Sequence, residues 1–194
     1  MGKMALTISE LIEKMNPIVG TKQTLAITTN KGLPGLLLET LTGIPHTSNC
    51  LDCADGELKT FPVKRLRNGQ LVPKETVAVT MLSIEDLRTC EFEQSKCFKK
   101  MSRMLMVPYY RDGDQIQFMA PRLIDLSLAE FATLRLALKN DYDTIRTAFL
   151  ADGTLTSTMG VLLQNRTKGA GHGSTSRAFY LRPEFMKKNV PLTL

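Results

Sequence analysis

Asp52-Cys53-Ala54-Asp55-Gly56-Glu57-Leu58-Lys59-Thr60-Phe61-Pro62-Val63 is the stretch on which the reading of this chain turns. Its second half, ELKTFPV, has the composition of a strand, entered through the small residues around Gly56. In extended backbone successive side chains alternate, so Glu57 and Lys59 share one face and Leu58 takes the other. An acid beside a lysine, with more carboxylates just upstream, suits metal-assisted hydrolysis of a phosphodiester. Carboxylates hold Mg²⁺ through oxygen, the metal polarises the phosphate and acidifies a water, and the lysine orients that water or offsets developing charge. The triplet is short, and a solvated strand explains it equally well on its own.

Upstream, Thr7-Ile8-Ser9-Glu10 forms a capping box, with Ile8, Leu11, Ile12 and Met15 at helical spacing. That helix stops before Pro17. A second helix fits Leu33 to Thr42, with Pro34 in its first turn and Gly43 just past its end. Its interior, LLLETLT, is apolar apart from Glu39 and the threonines. Downstream, Arg67-Asn68-Gly69 is a turn, and Gln70 to Leu82 reads as a second strand completing a hairpin. Ser83 caps a short helix, a basic helix covers Ser95 to Met104, and Leu105–Tyr110 with Gln115–Ala120 reads as another hairpin. Ser127 to Leu150 is the longest helical pattern. Leu163–Thr167, a glycine-rich loop and Arg177–Leu181 follow as strand, loop, strand, and Pro183 opens a last helix. Strands and helices interleave, which gives an α/β or α+β class with a mixed sheet. No linker is long enough to separate independent domains, so the 194 residues are read as one domain of two lobes.

Hydrophobic residues make up 43% of the chain and charged residues 23%, a globular balance that excludes wholesale disorder. No apolar run approaches membrane-helix length. The opening MGKMALTISELIEKM lacks an apolar core followed by a cleavage site, so a cytoplasmic protein is expected. The net charge is +6, which suits an anionic partner. Residues 151–194 concentrate it: Arg166, Lys168, Arg177, Arg182, Lys187 and Lys188 stand against only Asp152 and Glu184. A solvated basic tail is the bland alternative.

Cys50 and Cys53 form a CxxC, with Cys90 and Cys97 further on. Four thiolates can hold zinc, but the second pair is loosely spaced, and four reduced thiols explain the pattern more simply. His46 and His172 are the only histidines, too few and too far apart for a histidine metal site or triad. Lys168 to Ser176 lacks the spacing of a phosphate-binding P-loop. Small residues flanked by Arg166, Lys168 and Arg177 suit a loop that enters a DNA groove, or else a surface hairpin.

Several blocks together resemble one family. Lys31-Gly32-Leu33-Pro34-Gly35-Leu36-Leu37-Leu38-Glu39, then Asp52, then Glu57–Val63, then Lys100–Pro108, Leu163–Lys168 and Arg177–Leu181, are similar in order and spacing to the MutH family of DNA endonucleases. That family holds a mismatch-repair nickase and related type II restriction endonucleases that act at GATC. The resemblance implies that Glu39 is a helix-borne acid near the metals, Asp52 a metal-binding aspartate, and Glu57 and Lys59 the catalytic pair. It implies that Lys31 and Lys100 meet DNA, that Arg166 and Lys168 are a basic pair approaching it, and that Tyr180 lies near the site. The interval from Asp52 to Glu57 is shorter than the family's usual one, so Asp55 is the alternative aspartate. Asp52 is preferred because Asp55 would continue the strand face of Glu57.

The resemblance thus implies a restriction-endonuclease-like α/β fold of the PD-(D/E)xK type: a mixed sheet flanked by helices, with two lobes forming a DNA cleft. It implies Mg²⁺ as cofactor and double-stranded DNA as partner, bound by a monomer or a dimer. The expected activity is site-specific restriction cleavage, favoured by the glycine-rich loop that leads into SRAFYL. A nickase activated by a MutL-type partner is the second reading, and a non-catalytic DNA-binding domain the third; an intact Glu57–Lys59 pair argues against the third.

Overall fold

The computed structural model describes residues 5–27, 30–44, 50–169 and 176–193. In chain order the elements are α1 (Ile8–Met15), β1 (Lys22–Thr24), α2 (Leu33–Thr42), β2 (Glu57–Arg65), β3 (Leu71–Pro73), β4 (Val77–Met81), α3 (Ile84–Thr89), α4 (Lys96–Met101), β5 (Arg103–Asp112), β6 (Gln115–Phe118), β7 (Arg122–Asp125), α5 (Ala132–Asp152), β8 (Leu163–Thr167), β9 (Arg177–Leu181) and α6 (Pro183–Asn189). They form two compact units, each assembled from separate stretches of chain. The first is Met1–Glu75, Met104–Ile124 and Val190–Leu194; the second is Thr76–Arg103 and Asp125–Asn189.

The first unit is built on a six-stranded mixed sheet in the order β1-β6-β5-β2-β3, with β7 also paired to β5. β2 and β5 run parallel, from Glu57 opposite Met104 to Val63 opposite Tyr110, while β1–β6, β5–β6 and β2–β3 are antiparallel. One face of the sheet packs against α1 and α2: Leu58, Leu105, Val107, Tyr109, Ile116 and Phe118 meet Ile8, Leu11 and Met15 of α1 and Leu38 of α2, while Phe61, Val63, Met104 and Met106 are buried on the other face. Each fully buried side chain of this size contributes about 1.5–3 kcal/mol. Because Leu58 is committed to the face against the helices, the strand pleat sends Glu57 and Lys59 to the opposite face.

α1 has the expected capping box, with Thr7 Oγ1 accepting from Glu10 N and the Glu10 carboxylate accepting from Thr7 N. α2 ends where Gly43 adopts the left-handed conformation, φ 75°. α2 lies close to β2 at one glycine: a Cβ on Gly35 would stand 3.3 Å from Thr60 Oγ1, tighter than ordinary contact.

The second unit holds an antiparallel sheet, β4-β9-β8. Its inner face meets α5, where Tyr142 stacks on Phe179 with centroids 5.7 Å apart. Phe92 adds a second aromatic contact to Tyr142 at 5.6 Å.

Two expectations change. The strand read from Gln70 to Leu82 is two strands in different sheets: β3 pairs β2, whereas β4 pairs β9. Pro73 closes β3 because it has no N–H for the ladder. The basic helix stops at Met101, since β5 already begins at Arg103. His46, His172 and the glycine-rich residues 170–175 lie outside the described residues. Among the described residues no helix is long and apolar enough to cross a membrane.

Candidate active site and nucleic-acid interface

The chain reaches β2 through a tight reversal in which Cys53 N donates to Gly56 O at 3.0 Å. The reversal puts Asp52 beside the first residues of β2: Asp52 Oδ2 accepts from Leu58 N at 3.1 Å. Lys59 Nζ lies 2.8 Å from Glu57 Oε1, and the two side chains are only 17% and 2% exposed. A sequestered carboxylate of this kind is retained only with a charged partner, and Lys59 supplies it. Asp52, Glu57 and Lys59 are therefore gathered at one end of one strand.

Cys53 reports the local field. Burial, and then the carboxylates of Asp52, Asp55 and Glu57, push its thiol up to about 12. The thiol stays protonated and uncharged among these acids. Cys97 is raised as well, chiefly by burial.

Asp55 has a different employment. Its Oδ1 accepts from Ile8 N at 2.7 Å, so the carboxylate caps the first turn of α1. Contrary to the expectation from sequence, Asp55 continues no strand face, because β2 begins at Glu57. It sits in the reversal and is aimed at a helix terminus.

Glu39 is half-buried on α2. It lies one turn beyond Gly35, on the helix face that the Gly35–Thr60 approach turns toward β2. Lys31 precedes the same helix and pairs with Glu75 at 2.5 Å. Lys100 is half-buried on α4, in the second unit.

Arg166 of β8, Lys168 just beyond its end and Tyr180 of β9 are brought together in the second unit. Tyr180 pairs with Gln164 across the ladder. The Arg166 guanidinium sits 5.3 Å and the Lys168 ammonium 5.8 Å from the centroid of its ring. Cation–π contact at these distances holds both cations against one aromatic plate. Arg166 Nη1 also donates to Thr76 Oγ1 at 3.3 Å.

The sequence reading missed Asp141. It is a buried carboxylate of α5, 6% exposed. Its two oxygens accept from Val161 N, Leu162 N and Leu163 N at 2.7–2.8 Å. The loop before β8 is thereby tied to the long helix. Gly160 is required in that turn: its φ is 79°, and a Cβ there would meet Leu163 O at 1.8 Å. No signal in the sequence marks Asp141, because its partners lie about twenty residues further on.

Among the described residues no group of three or more His, Cys, Asp or Glu side chains is placed to hold a metal. The Asp52–Glu57 pair nonetheless fits Mg²⁺, which is commonly held by one or two carboxylates, with waters and substrate phosphates completing the shell.

Two acids and a lysine at the entry to a strand suit the hydrolysis of a phosphodiester. Residues 47–141 match the family model described as DNA mismatch repair enzyme MutH. That match supports membership of the MutH-like nuclease family, a family of DNA endonucleases. It takes in Asp52, Glu57, Lys59 and Lys100, begins beyond Lys31 and Glu39, and ends before Arg166, Lys168 and Tyr180. No curated protein matches the chain.

Proposed function

We propose that this chain is a Mg²⁺-dependent, site-specific endonuclease of the type II restriction class, cutting duplex DNA at GATC. The observation that supports the chemistry is the joint placement of Asp52, Glu57 and Lys59 at the start of β2. Asp52 and Glu57 would hold the metal, which when bound polarises the phosphate and acidifies water. Glu39 adds a further carboxylate from α2. Lys59, held by Glu57, directs the attacking water at phosphorus and offsets negative charge as the P–O3′ bond breaks. A 5′-phosphate remains.

In this reading Lys31 of the first unit, and Lys100, Arg166, Lys168 and Tyr180 of the second, are the residues that meet DNA. The second reading is a strand-nicking repair enzyme activated by a MutL-type partner, and the description of the matching family favours it. Incubation with Mg²⁺ and supercoiled plasmids that differ only in GATC content and methylation separates the two. Linear product confined to GATC plasmids supports restriction. Nicked product confined to them supports repair. No cleavage of either plasmid contradicts the restriction reading, since only the repair enzyme depends on a partner to act.

A further inference from the structure

A cavity of about 580 Å³ opens in the first unit where the far end of β2 meets β3, β5 and the approach to α2. It is not part of the Asp52–Glu57–Lys59 site. Its lining is strongly basic: Lys31, Lys64, Arg65, Lys74 and Arg111. Glu75 is the one acid among the described residues that line it, and Lys31 holds that carboxylate at 2.5 Å. Lys64, Arg65 and Lys74 are all exposed. Arg111 is fixed as a wall, donating to the backbone oxygens of Leu25, Ala26 and Gly113. Arg65 lies 5.5 Å over the ring of Tyr110, which holds its guanidinium at the mouth of the cavity.

Such a concentration of like charge, from β2, β5 and the residues just after β3 and just before α2, raises the cost of folding unless an anion meets it. Of the apolar lining residues Pro34, Val63 and Tyr109 are buried and Pro62 and Tyr110 half-buried, so none stands exposed as the anchor of a protein interface core. Spacing along β2 supplies the rest. Arg65 is six residues beyond Lys59 and shares its strand face, roughly 20 Å away at about 3.3 Å per residue. That is about six phosphates along one DNA strand. A cation cluster at this separation from the cutting site suits the backbone of DNA outside the recognised sequence.

We infer that the basic cavity formed by Lys64, Arg65 and Lys74 binds the phosphodiester backbone of duplex DNA flanking the site of cleavage. The inference rests on the reading of this chain as a DNA endonuclease, but it concerns binding rather than chemistry.

The test measures affinity of the full chain for a duplex of roughly 30 base pairs in Ca²⁺, by fluorescence anisotropy across a salt series. The variant Lys64→Ala/Arg65→Ala/Lys74→Ala should lower the slope of log affinity against log salt by about 2–3, near 0.9 per phosphate contact. The charge-keeping variant Lys64→Arg/Arg65→Lys/Lys74→Arg should retain the slope. On a duplex of about 8 base pairs centred on GATC, whose ends lie about four phosphates from its centre and so short of the cavity, the alanine variant should differ little from the parent. An unchanged slope on the long duplex overturns the inference, and so does an equal loss on both duplexes. Cleavage by the parent chain is scored separately. A chain that cuts DNA without showing the slope change defeats this inference alone. A chain that shows the slope change but never cuts defeats the catalytic reading alone.

Discussion

Lys59 and Glu57, two residues apart on β2, meet as a 2.8 Å ion pair on the sheet face opposite α1 and α2. The pleat makes them neighbours, and burial of Leu58 on the other face fixes which way they point. The packing of one leucine therefore sets the orientation of the two groups on which the proposed chemistry depends.

Asp52 and Asp55 can be told apart by what each supports. Asp52→Ala should abolish cleavage at little cost in stability. Asp55→Ala should remove the cap on Ile8 N, lower stability by about 1 kcal/mol and keep most of the activity. Denaturant melts paired with plasmid cleavage assays read both effects. A dead but fully stable Asp55→Ala would reverse the assignment.

Asp141→Ala should be among the most destabilising single changes in the chain. It leaves three backbone N–H groups near α5 without their carboxylate, at about 3 kcal/mol or more. Hydrogen exchange should show the loss of protection concentrated at residues 161–163. A melting temperature within a degree or two of the parent would contradict the clamp.

The buried thiols give a pH dependence of known sign. The Cys53 thiol is raised to about 12, and Cys97 is also raised. Both stay protonated in the folded chain, whereas in the unfolded chain they ionise near the ordinary thiol value. The unfolded state therefore binds fewer protons above that value, and stability falls as pH rises from about 9 toward about 12. Urea melts between these limits should show the decline. At pH 8, half-exposed Cys50 should react with iodoacetamide well before Cys53, and equal rates would contradict the burial.

Arg166 and Lys168 share the Tyr180 ring, yet they should behave differently on DNA. Lys168→Ala should cost roughly 1–3 kcal/mol and relax discrimination at one base pair. Arg166→Ala should weaken all sequences alike and lower the salt slope by about one, or reduce cleavage. Binding to GATC and single-mismatch duplexes in Ca²⁺ across a salt series reads the difference. Unchanged binding in both variants would remove this edge of β8 from the interface.

Local chemistry was legible where the signal is local. The Leu33–Thr42 helix was readable because Pro34 opens it and Gly43 closes it. The shared face of Glu57 and Lys59 was readable because strand alternation needs no tertiary information. What escaped depends on distant partners. Asp55 reads as a spare metal ligand until Ile8, 47 residues earlier, is seen to donate to it. Asp141 reads as an ordinary helix aspartate until the loop before β8 folds onto it. In the run from Gln70 to Leu82, rich in β-branched residues, Pro73 marks the break between β3 and β4 but gives no hint that they part into different sheets, because the choice of partner strand is made by β2 and β9. The cations on either side of the Arg67-Asn68-Gly69 turn carry no signal of their own until the sheet sets them beside Lys31 and Arg111.

The central claim is that Asp52, Glu57 and Lys59 act as one hydrolytic site, and single-turnover cleavage by Lys59→Ala tests it most directly. With Mg²⁺ and a GATC duplex, the variant should cut at least about a hundredfold more slowly than the parent. Its affinity for the same duplex in Ca²⁺ should change by less than about threefold, because Lys59 acts on the reacting phosphate rather than in holding DNA. Cleavage by Lys59→Ala at the parental rate, with DNA binding intact, would contradict the account.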